Sequence, residues 1–283
     1  MLELVSSHRS FDGEQRFYSH QSETIGLKMR FSVFVPNAAL KGRQVATLFY
    51  LAGLTCTEET FPTKAGAQRL ASELGFMLVS PDTSPRGAGV EDESADWDLG
   101  VGAGFYVDAT HGDWQQHYRM YSYVSEELYK LVVDQFPADP ERIGIFGHSM
   151  GGHGALVLAL RNPQKYKSVS AFAPICAPTR CPWGTKAFGA YLGDDVSSWE
   201  AYDASKLMRQ QVTPFPAGIL VDQGLSDKFL AEQLYPKQFE EACRASQQPL
   251  TLRYHEGYDH GYYFISTLID DHLRFHAKAL LSD

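Results

Sequence analysis

The residue types around position 149 are those of an activated nucleophile. Residues 147–151 read Gly-His-Ser-Met-Gly, which places Ser149 at the centre of a Gly-x-Ser-x-Gly motif. Apolar residues precede the motif at 143, 145 and 146, and the apolar run 155–160 follows it. This order is typical of a strand, a tight turn and a helix that hold a serine hydroxyl at the tip of a sheet. We therefore predict a catalytic Ser149; the alternative is a glycine-rich helix start with a capping serine.

A serine hydroxyl needs a base to take its proton and an acid to orient that base. In a fold of this kind the three residues follow the chain order serine, acid, histidine. Asp227 lies in the loop after a predicted strand that ends at Asp222, and His260 lies in the loop after the last predicted strand. We predict that Asp227 and His260 are the acid and the base. Each could instead cap the helix that follows it, and Asp222 is a competing acid that we interpret as structural.

The negative oxygen that forms during acyl transfer needs N–H donors. The backbone N–H of Met150, directly after the nucleophile, is the first candidate. A second donor should come from the loop after an early strand, which residues 52–56 form, and we predict the N–H of Leu54. Cys56 then lies near the site. No His–Cys pairing is visible in the sequence, which favours a thiol beside the site over a nucleophilic Cys56.

The other histidines and a glycine-rich segment favour structural interpretations. His148 neighbours the nucleophile, but the tight turn should direct its ring elsewhere, and His153 should pack on its helix. His272 and His276 have metal-ligand spacing, yet without a third ligand we predict a solvated helix face and no metal site. Residues 100–105 depart from Gly-x-Gly-x-x-Gly and follow no strand, so we predict a flexible wall of the cleft and no cofactor.

Predicted strands and helices alternate along the chain, which indicates an α/β fold with a mostly parallel sheet covered by helices on both faces. Catalytic residues should then lie in loops at the carboxyl ends of the strands. The absence of repeats and linker-like tracts favours a single domain over residues 1–283. Strands are predicted at 31–35, 45–51, 76–80, 142–146, 169–172, 218–222 and 250–254. Helices are predicted at 63–74, 119–135, 150–160, 229–245 and 264–281, with residues 82–118 mostly loop and residues 177–210 short helices and loops.

Composition excludes several classes of protein. The 283 residues carry a net charge of −9 and no dense Lys/Arg cluster, which argues against a nucleic-acid partner. No apolar run approaches the length of a membrane span, and the N-terminus lacks the features of a signal peptide. The four cysteines match neither a zinc pattern nor a redox pair, which indicates free thiols in a reducing compartment. We therefore expect a cytoplasmic protein that does not bind membranes.

Several segments, spread over nearly the whole chain, are similar to those of the S-formylglutathione hydrolase (esterase D) family of the α/β-hydrolase superfamily. They are residues 51–58, 80–87, 100–106, 117–121, 147–154, 182–188 and 257–264. One departure is Gly261, where many relatives have serine. The resemblance implies the α/β-hydrolase fold, a homodimer and no cofactor. It also implies hydrolysis of S-formylglutathione to glutathione and formate, within formaldehyde detoxification.

The resemblance also assigns site residues. It makes Ser149, Asp227 and His260 the catalytic residues, and it implicates Trp97 and Cys56 in lining the site. The oxyanion donors would be the N–H groups of Leu54 and Met150. The residues alone support only a serine hydrolase. A general short-chain carboxylesterase and a non-catalytic binding protein of the same fold therefore remain alternatives, and Lys64 and Lys186 are only candidates for binding the glutathione carboxylates.

Overall fold

The computed structural model describes residues 2–211 and 213–281, which form a nine-stranded sheet with helices packed on it. The strands are β1 (Glu3–Ser10), β2 (Gly13–Gln21), β3 (Lys28–Val35), β4 (Val45–Leu51), β5 (Met77–Pro81), β6 (Ala138–His148), β7 (Ser168–Phe172), β8 (Ile219–Gly224) and β9 (Leu250–His255). Their spatial order is β1-β2-β3-β5-β4-β6-β7-β8-β9. Strands β1, β2, β3 and β5 pair antiparallel in succession. The pairings from β5 through β4, β6, β7 and β8 to β9 are parallel.

The helices lie mainly between the parallel strands. They are α1 (Asn37–Leu40), α2 (Thr60–Lys64), α3 (Gln68–Leu74), α4 (Met120–Ser122), α5 (Tyr129–Gln135), α6 (Met150–Arg161), α7 (Pro182–Leu192), α8 (Val196–Trp199), α9 (Ala204–Gln210), α10 (Pro236–Ala245) and α11 (Tyr262–Leu280). A π-helical stretch, Tyr123–Leu128, joins α4 to α5, and another, Leu230–Leu234, precedes α10. Within the described part of the chain, no helix is both long and apolar enough to cross a bilayer. The predicted α/β class with a mostly parallel sheet is confirmed.

Two predicted helices are interrupted. The helix predicted at 63–74 is two helices, α2 and α3, separated by a turn in which Gly66 has a left-handed φ of 71°. The helix predicted at 229–245 breaks at Tyr235, which has a φ of 50°. Pro236 follows directly, and a proline disfavours the right-handed helical conformation of the residue before it. The antiparallel hairpin β1–β2 was not predicted, because β1 is largely exposed and lacks an alternating apolar pattern.

The last helix differs from the prediction of a solvated face carrying His272 and His276. Both side chains are fully buried, because α11 packs on β7 and β8. His276 lies 2.6 Å from Ser168 Oγ and 2.9 Å from Ser170 Oγ, through its Nδ1 and Nε2 atoms. His272 Nδ1 lies 2.8 Å from the same Ser170 Oγ. The two histidines therefore fasten α11 to the sheet, and the described residues contain no cluster of three or more ligands suited to a metal.

Asp222, within β8, is the centre of this buried network. Its carboxylate lies 3.0 Å from His272 Nε2 and accepts hydrogen bonds of 2.6 and 2.5 Å from the guanidinium of Arg253 on β9. Burial alone would raise the pKa of Asp222, but the hydrogen bonds from His272 and Arg253 outweigh burial and hold the pKa well below its usual range. A buried carboxylate thus joins β8, β9 and α11, and the sequence-based interpretation of Asp222 as structural agrees with these contacts.

Replacing Asp222 with asparagine should destabilise the fold, because it leaves the buried His272 without an ionised partner and Arg253 with only the half-exposed Asp271. We expect the free energy of unfolding at pH 7 to fall by about 3 kcal/mol, measured by urea denaturation. The lowered pKa means that the charge stabilises the fold above the unfolded value of about 3.9 and ceases to do so as the pH falls through the folded value. The deficit of the variant should therefore shrink in acid.

Asp271→Asn is the matched control, since Asp271 pairs with the same Arg253 (2.7 Å) but is half exposed. The Asp271→Asn substitution should lower the free energy of unfolding by less than about 1 kcal/mol. An equal loss of unfolding free energy in the two variants would contradict the central role of Asp222. A loss in Asp222→Asn that stays the same at low pH would also contradict it.

Candidate active site

Ser149 occupies the turn between β6 and α6 in a strained backbone conformation, with φ 57° and ψ −119°. The turn is possible because both flanking motif residues are glycines. A Cβ atom on Gly147 would lie 2.2 Å from the carbonyl oxygen of Gly151, and a Cβ on Gly151 would lie 1.9 Å from that of Leu51. The Ser149 N–H donates to the carbonyl of Phe172 on the neighbouring strand β7 (3.0 Å). The predicted strand–turn–helix is therefore present, with the serine at the carboxyl end of β6.

Asp227 and His260 meet Ser149 in the predicted chain order. His260 Nε2 lies 2.8 Å from Ser149 Oγ, and His260 Nδ1 lies 2.5 Å from Asp227 Oδ2. Burial would raise the pKa of Asp227, but the hydrogen bond and charge interaction with His260 are among the contacts that lower it, so the carboxylate is ionised at neutral pH. Geometry and charge therefore suit proton transfer from the serine hydroxyl to the imidazole.

The alternative of a helix-capping aspartate is partly realised as well. Asp227 Oδ1 accepts from the backbone N–H of Phe229 (2.8 Å), while Oδ2 accepts from His260 and from the Gln223 amide (3.1 Å). One carboxylate oxygen thus fixes the local turn and the other faces the imidazole. His260 precedes α11, but both its ring nitrogens are directed to Asp227 and Ser149 rather than to that helix.

The loops that carry the acid and the base are in direct contact. Leu225 N–H donates to the carbonyl of His255, and Ser226 N–H donates to that of Tyr258, each at 2.9 Å. Gly224, where β8 ends, permits this approach, since a Cβ there would lie 2.4 Å from the carbonyl oxygen of Tyr258. Backbone hydrogen bonds between the β8 and β9 loops therefore set the spacing of Asp227 and His260.

The predicted oxyanion loop, residues 52–56, lies beside the nucleophile. A Cβ on Gly53 would lie 3.2 Å from Ser149 Cβ. Thr55 N–H donates to Gly102 O (2.9 Å), whereas no hydrogen bond joins the Leu54 N–H to another of the described residues. Met150 opens α6, so its N–H is at a helix N-terminus, where partial positive charge favours an anion. The loop and the helix end thus offer two N–H groups next to Ser149.

The segment 100–105 differs from the flexible wall predicted for it. Gly100 N–H donates to the Tyr191 hydroxyl and Gly102 N–H to Ser84 Oγ, both at 2.8 Å. Gly102 packs so closely on Thr55 that a Cβ would lie 3.0 Å from Thr55 Cα. The segment is largely buried, and Gly102 contacts the oxyanion loop at Thr55.

His148 also differs from its prediction, because its ring is turned toward the site. The ring is buried with its centroid 4.5 Å from that of His260. Burial, together with the neighbouring His260, lowers the pKa of His148 well below its ordinary value, so the ring is neutral. Neither ring nitrogen of His148 has a hydrogen-bond partner among the described residues, whereas His260 makes the contact with Ser149 that is expected of the base. His153, which was predicted to pack on its helix, is buried, and its Nε2 lies 3.0 Å from Phe105 O in the 100–105 segment.

Cys56 is half-buried beside this cluster. Burial raises the pKa of the Cys56 thiol, against the lowering effect of hydrogen bonds with Thr60 and Tyr262. The thiol is therefore protonated at neutral pH, which disfavours it as a nucleophile. The other cysteines of the chain, Cys176, Cys181 and Cys243, are buried and free.

Aromatic rings extend from His260 to the surface. The Phe229 ring lies 5.0 Å from the His260 ring, Trp183 lies 4.6 Å from Phe229, and Trp97 lies 5.6 Å from Trp183, measured between centroids. Trp97, which was expected to line the site, is the exposed outer end of this row. Trp183 and Phe229 were not identified from the sequence as site residues. Trp183 lies within a segment that carries the family resemblance, which was the available signal, whereas Phe229 was seen only as a helix residue.

Of the two lysines considered for substrate carboxylates, Lys186 is already engaged. Its ammonium group lies 2.8 Å from Asp96 and 2.5 Å from Asp98. These acidic residues flank Trp97, so Lys186 holds the Trp97 segment in place. Lys64 has no such carboxylate partner among the described residues.

The mostly parallel sheet, with a serine, a histidine and an aspartate joined at the carboxyl ends of its strands, defines an α/β-hydrolase-fold hydrolase. Residues 22–275 match the family model named Esterase. The chain is 52% identical over 280 residues to S-formylglutathione hydrolase of Rattus norvegicus, covering 99% of each chain. It is also 52% identical to S-formylglutathione hydrolase of Arabidopsis thaliana, covering 99% of this chain and 98% of that one.

A solved S-formylglutathione hydrolase from Agrobacterium tumefaciens has the same architecture, with a TM-score of 0.94 and 50% identity over 98% of this chain and 99% of that one. The chain belongs to the S-formylglutathione hydrolase family. The resemblance drawn from the sequence segments is therefore confirmed.

Gly224→Ala should separate the loops that carry the acid and the base, because the new methyl group would collide with the carbonyls of Tyr258 and Asp259. We expect kcat/KM to fall by roughly 100-fold, the size of effect that follows a displacement of about 1 Å in an active site. Steady-state hydrolysis of p-nitrophenyl acetate would measure it, with circular dichroism to check folding. Gly189→Ala is the control, since a Cβ there meets nothing within 4 Å; wild-type activity in a folded Gly224→Ala would exclude this positioning role.

Proposed function

We propose that this protein hydrolyses the thioester S-formylglutathione to glutathione and formate, with Ser149 as nucleophile, His260 as base and Asp227 as acid. The observation that carries the proposal is the continuous contact from Asp227 through His260 to Ser149, at 2.5 and 2.8 Å. It occurs in a chain whose full-length relatives are named S-formylglutathione hydrolase.

The contacts support a two-step acyl transfer. His260 Nε2 accepts the Ser149 proton as Oγ attacks the formyl carbonyl, and Asp227 stabilises the imidazolium that forms. The backbone N–H groups of Leu54 and Met150 are the proposed donors to the resulting oxyanion. The carbon–sulfur bond then breaks, His260 returns the proton to the glutathione sulfur, and the formyl group remains as an ester on Ser149. A water molecule that gives a proton to His260 then attacks this ester. The bond between the formyl carbon and Ser149 Oγ breaks, His260 returns the proton to Oγ, and the formic acid released ionises to formate.

Further parts of the proposal concern the residues that line the site, the location of the protein, its oligomeric state and its domain organisation. Cys56 and Trp97 are proposed to line the site, with Trp97 acting at the outer end of the row of rings. The free cysteines favour a cytoplasmic location, and family membership favours a homodimer and a role in formaldehyde detoxification. One continuous sheet from β1 to β9 supports a single domain over residues 1–283.

A short-chain carboxylesterase would use the same catalytic residues, so substrate preference separates the two functions. We expect kcat/KM for S-formylglutathione to exceed that for p-nitrophenyl acetate by at least about tenfold, because the peptide part adds binding interactions. Parallel steady-state assays of the purified protein would measure the ratio. A preference for the simple ester would favour the carboxylesterase, and no turnover of either substrate would favour a binding protein.

Ser149→Ala should remove the nucleophile while keeping the turn. We expect kcat to fall by roughly 10⁴- to 10⁶-fold with little change in the free energy of unfolding. Labelling by a fluorophosphonate probe should disappear in the same variant. Ser246→Ala, at the far end of α10, provides a control that should keep both turnover and labelling. Turnover near wild type in Ser149→Ala would assign the nucleophile elsewhere.

A further inference from the structure

A cavity of about 430 Å³ lies between the end of α2 and the start of α11. Its lining residues are Lys64, Tyr262, Tyr263 and Ser266. The mechanism proposed above uses none of them. Tyr263 is unusual for a large aromatic residue, because 88% of its surface is exposed. An exposed ring, a cation and a hydroxyl around one cavity are the components of a site for a polar ligand with some apolar surface.

The cavity lies near the residues proposed to be catalytic. Tyr262 follows the base His260 by two residues, and the centroid of its ring lies 6.0 Å from that of His148, which in turn packs on His260. The Tyr262 hydroxyl makes hydrogen bonds with Tyr50 (3.3 Å) and with the Cys56 thiol. Cys56 belongs to the oxyanion loop. Two successive ring contacts, Tyr262 with His148 and His148 with His260, therefore connect the cavity to the base that contacts Ser149.

Lys64 supplies the charge of the cavity. Its Nζ lies 5.8 Å from the centroid of the Tyr262 ring, and no carboxylate of the described residues lies within salt-bridge distance of it. Lys186, by contrast, is neutralised by two aspartates. In a protein of net charge −9, an unpaired cation beside the active site attracts an anionic ligand that the rest of the surface repels.

The leaving group of the proposed reaction has matching chemistry. Glutathione is a tripeptide with a carboxylate at each end and a net negative charge, and the thioester sulfur is in its middle residue. We propose that the cavity binds one of the two carboxylates of the glutathione moiety, with Lys64 as the charge partner and the exposed Tyr263 ring against the peptide. This inference rests on the proposed function and adds a residue that determines specificity for a charged thiol.

Kinetics on Lys64→Met with two substrates test the proposal. We expect kcat/KM for S-formylglutathione to fall about tenfold, mainly through KM, because an interaction far from the reacting atoms binds substrate and transition state alike. The ratio of this kcat/KM to that for uncharged p-nitrophenyl acetate should fall by the same factor. Lys64→Arg should retain most of the ratio. Lys206→Met, which removes a lysine paired with Glu200, controls for the loss of one positive charge.

Esterified substrates test the contact itself. The two monoethyl esters of S-formylglutathione each lack one carboxylate. In the wild-type protein, esterification of the carboxylate that Lys64 binds should lower kcat/KM about tenfold. In Lys64→Met, the same esterification should leave kcat/KM unchanged. Equal losses in both proteins for both esters would overturn the proposal, because a merely structural lysine gives no such coupling.

The failure of this inference is distinguishable from failure of the proposed function. If the wild-type protein does not prefer S-formylglutathione over p-nitrophenyl acetate, the function itself is wrong. If the preference exists and persists in Lys64→Met, only the assignment of the cavity is wrong. Loss of the preference in Lys228→Met instead would place the carboxylate on the other side of the site, where Lys228 Nζ lies 4.9 Å from the Phe229 ring centroid.

Discussion

The hydrogen bond between Asp227 and His260 is the interaction on which the rest of the site depends. It joins the loops after two neighbouring strands, β8 and β9, and it is made by an ionised carboxylate whose own position is set by Phe229 and Gln223. Without it the imidazole would be free to rotate, and the nitrogen that faces Ser149 would have no fixed tautomer. The strained turn at Ser149 can activate the serine hydroxyl only if the imidazole of His260 is held opposite it.

A second aspartate–histidine pair, Asp222 with His272, shows how position decides the role of the same chemical groups. It lies at the sheet face under α11, where solvent does not reach it and the His272 ring also contacts the buried Ser170 hydroxyl. There the carboxylate links β8, β9 and the last helix, and these are the elements from which the Asp227 and His260 loops start. The Asp222–His272 pair therefore supports the Asp227–His260 pair, since movement of the strands or of α11 would displace the loops that carry Asp227 and His260.

The two sides of the site have different chemical character. On one side a row of rings, from Phe229 to Trp97, provides apolar surface next to the base. On the other side Cys56, in the oxyanion loop, contacts Tyr262, and Tyr262 lines a cavity together with Lys64. A thioester with a small acyl group and a large charged thiol needs such an asymmetric environment, because recognition must act mainly on the part that leaves.

The chain pattern by itself determined the class of fold, the serine turn, the chain order in which Ser149, Asp227 and His260 meet, and the family, since each depends on local spacing or on short motifs. It did not determine the partners of the histidines: His148 faces the site, and His272 and His276 are buried, although the pattern indicated otherwise. Only the tertiary structure decided these, because contacts such as His260 with Ser149 join residues 111 apart, through strand register and helix packing. The pairing of Lys186 likewise joins residues distant along the chain. The breaks at Gly66 and Tyr235 instead coincide with a local glycine and with Pro236, which apolar periodicity does not register.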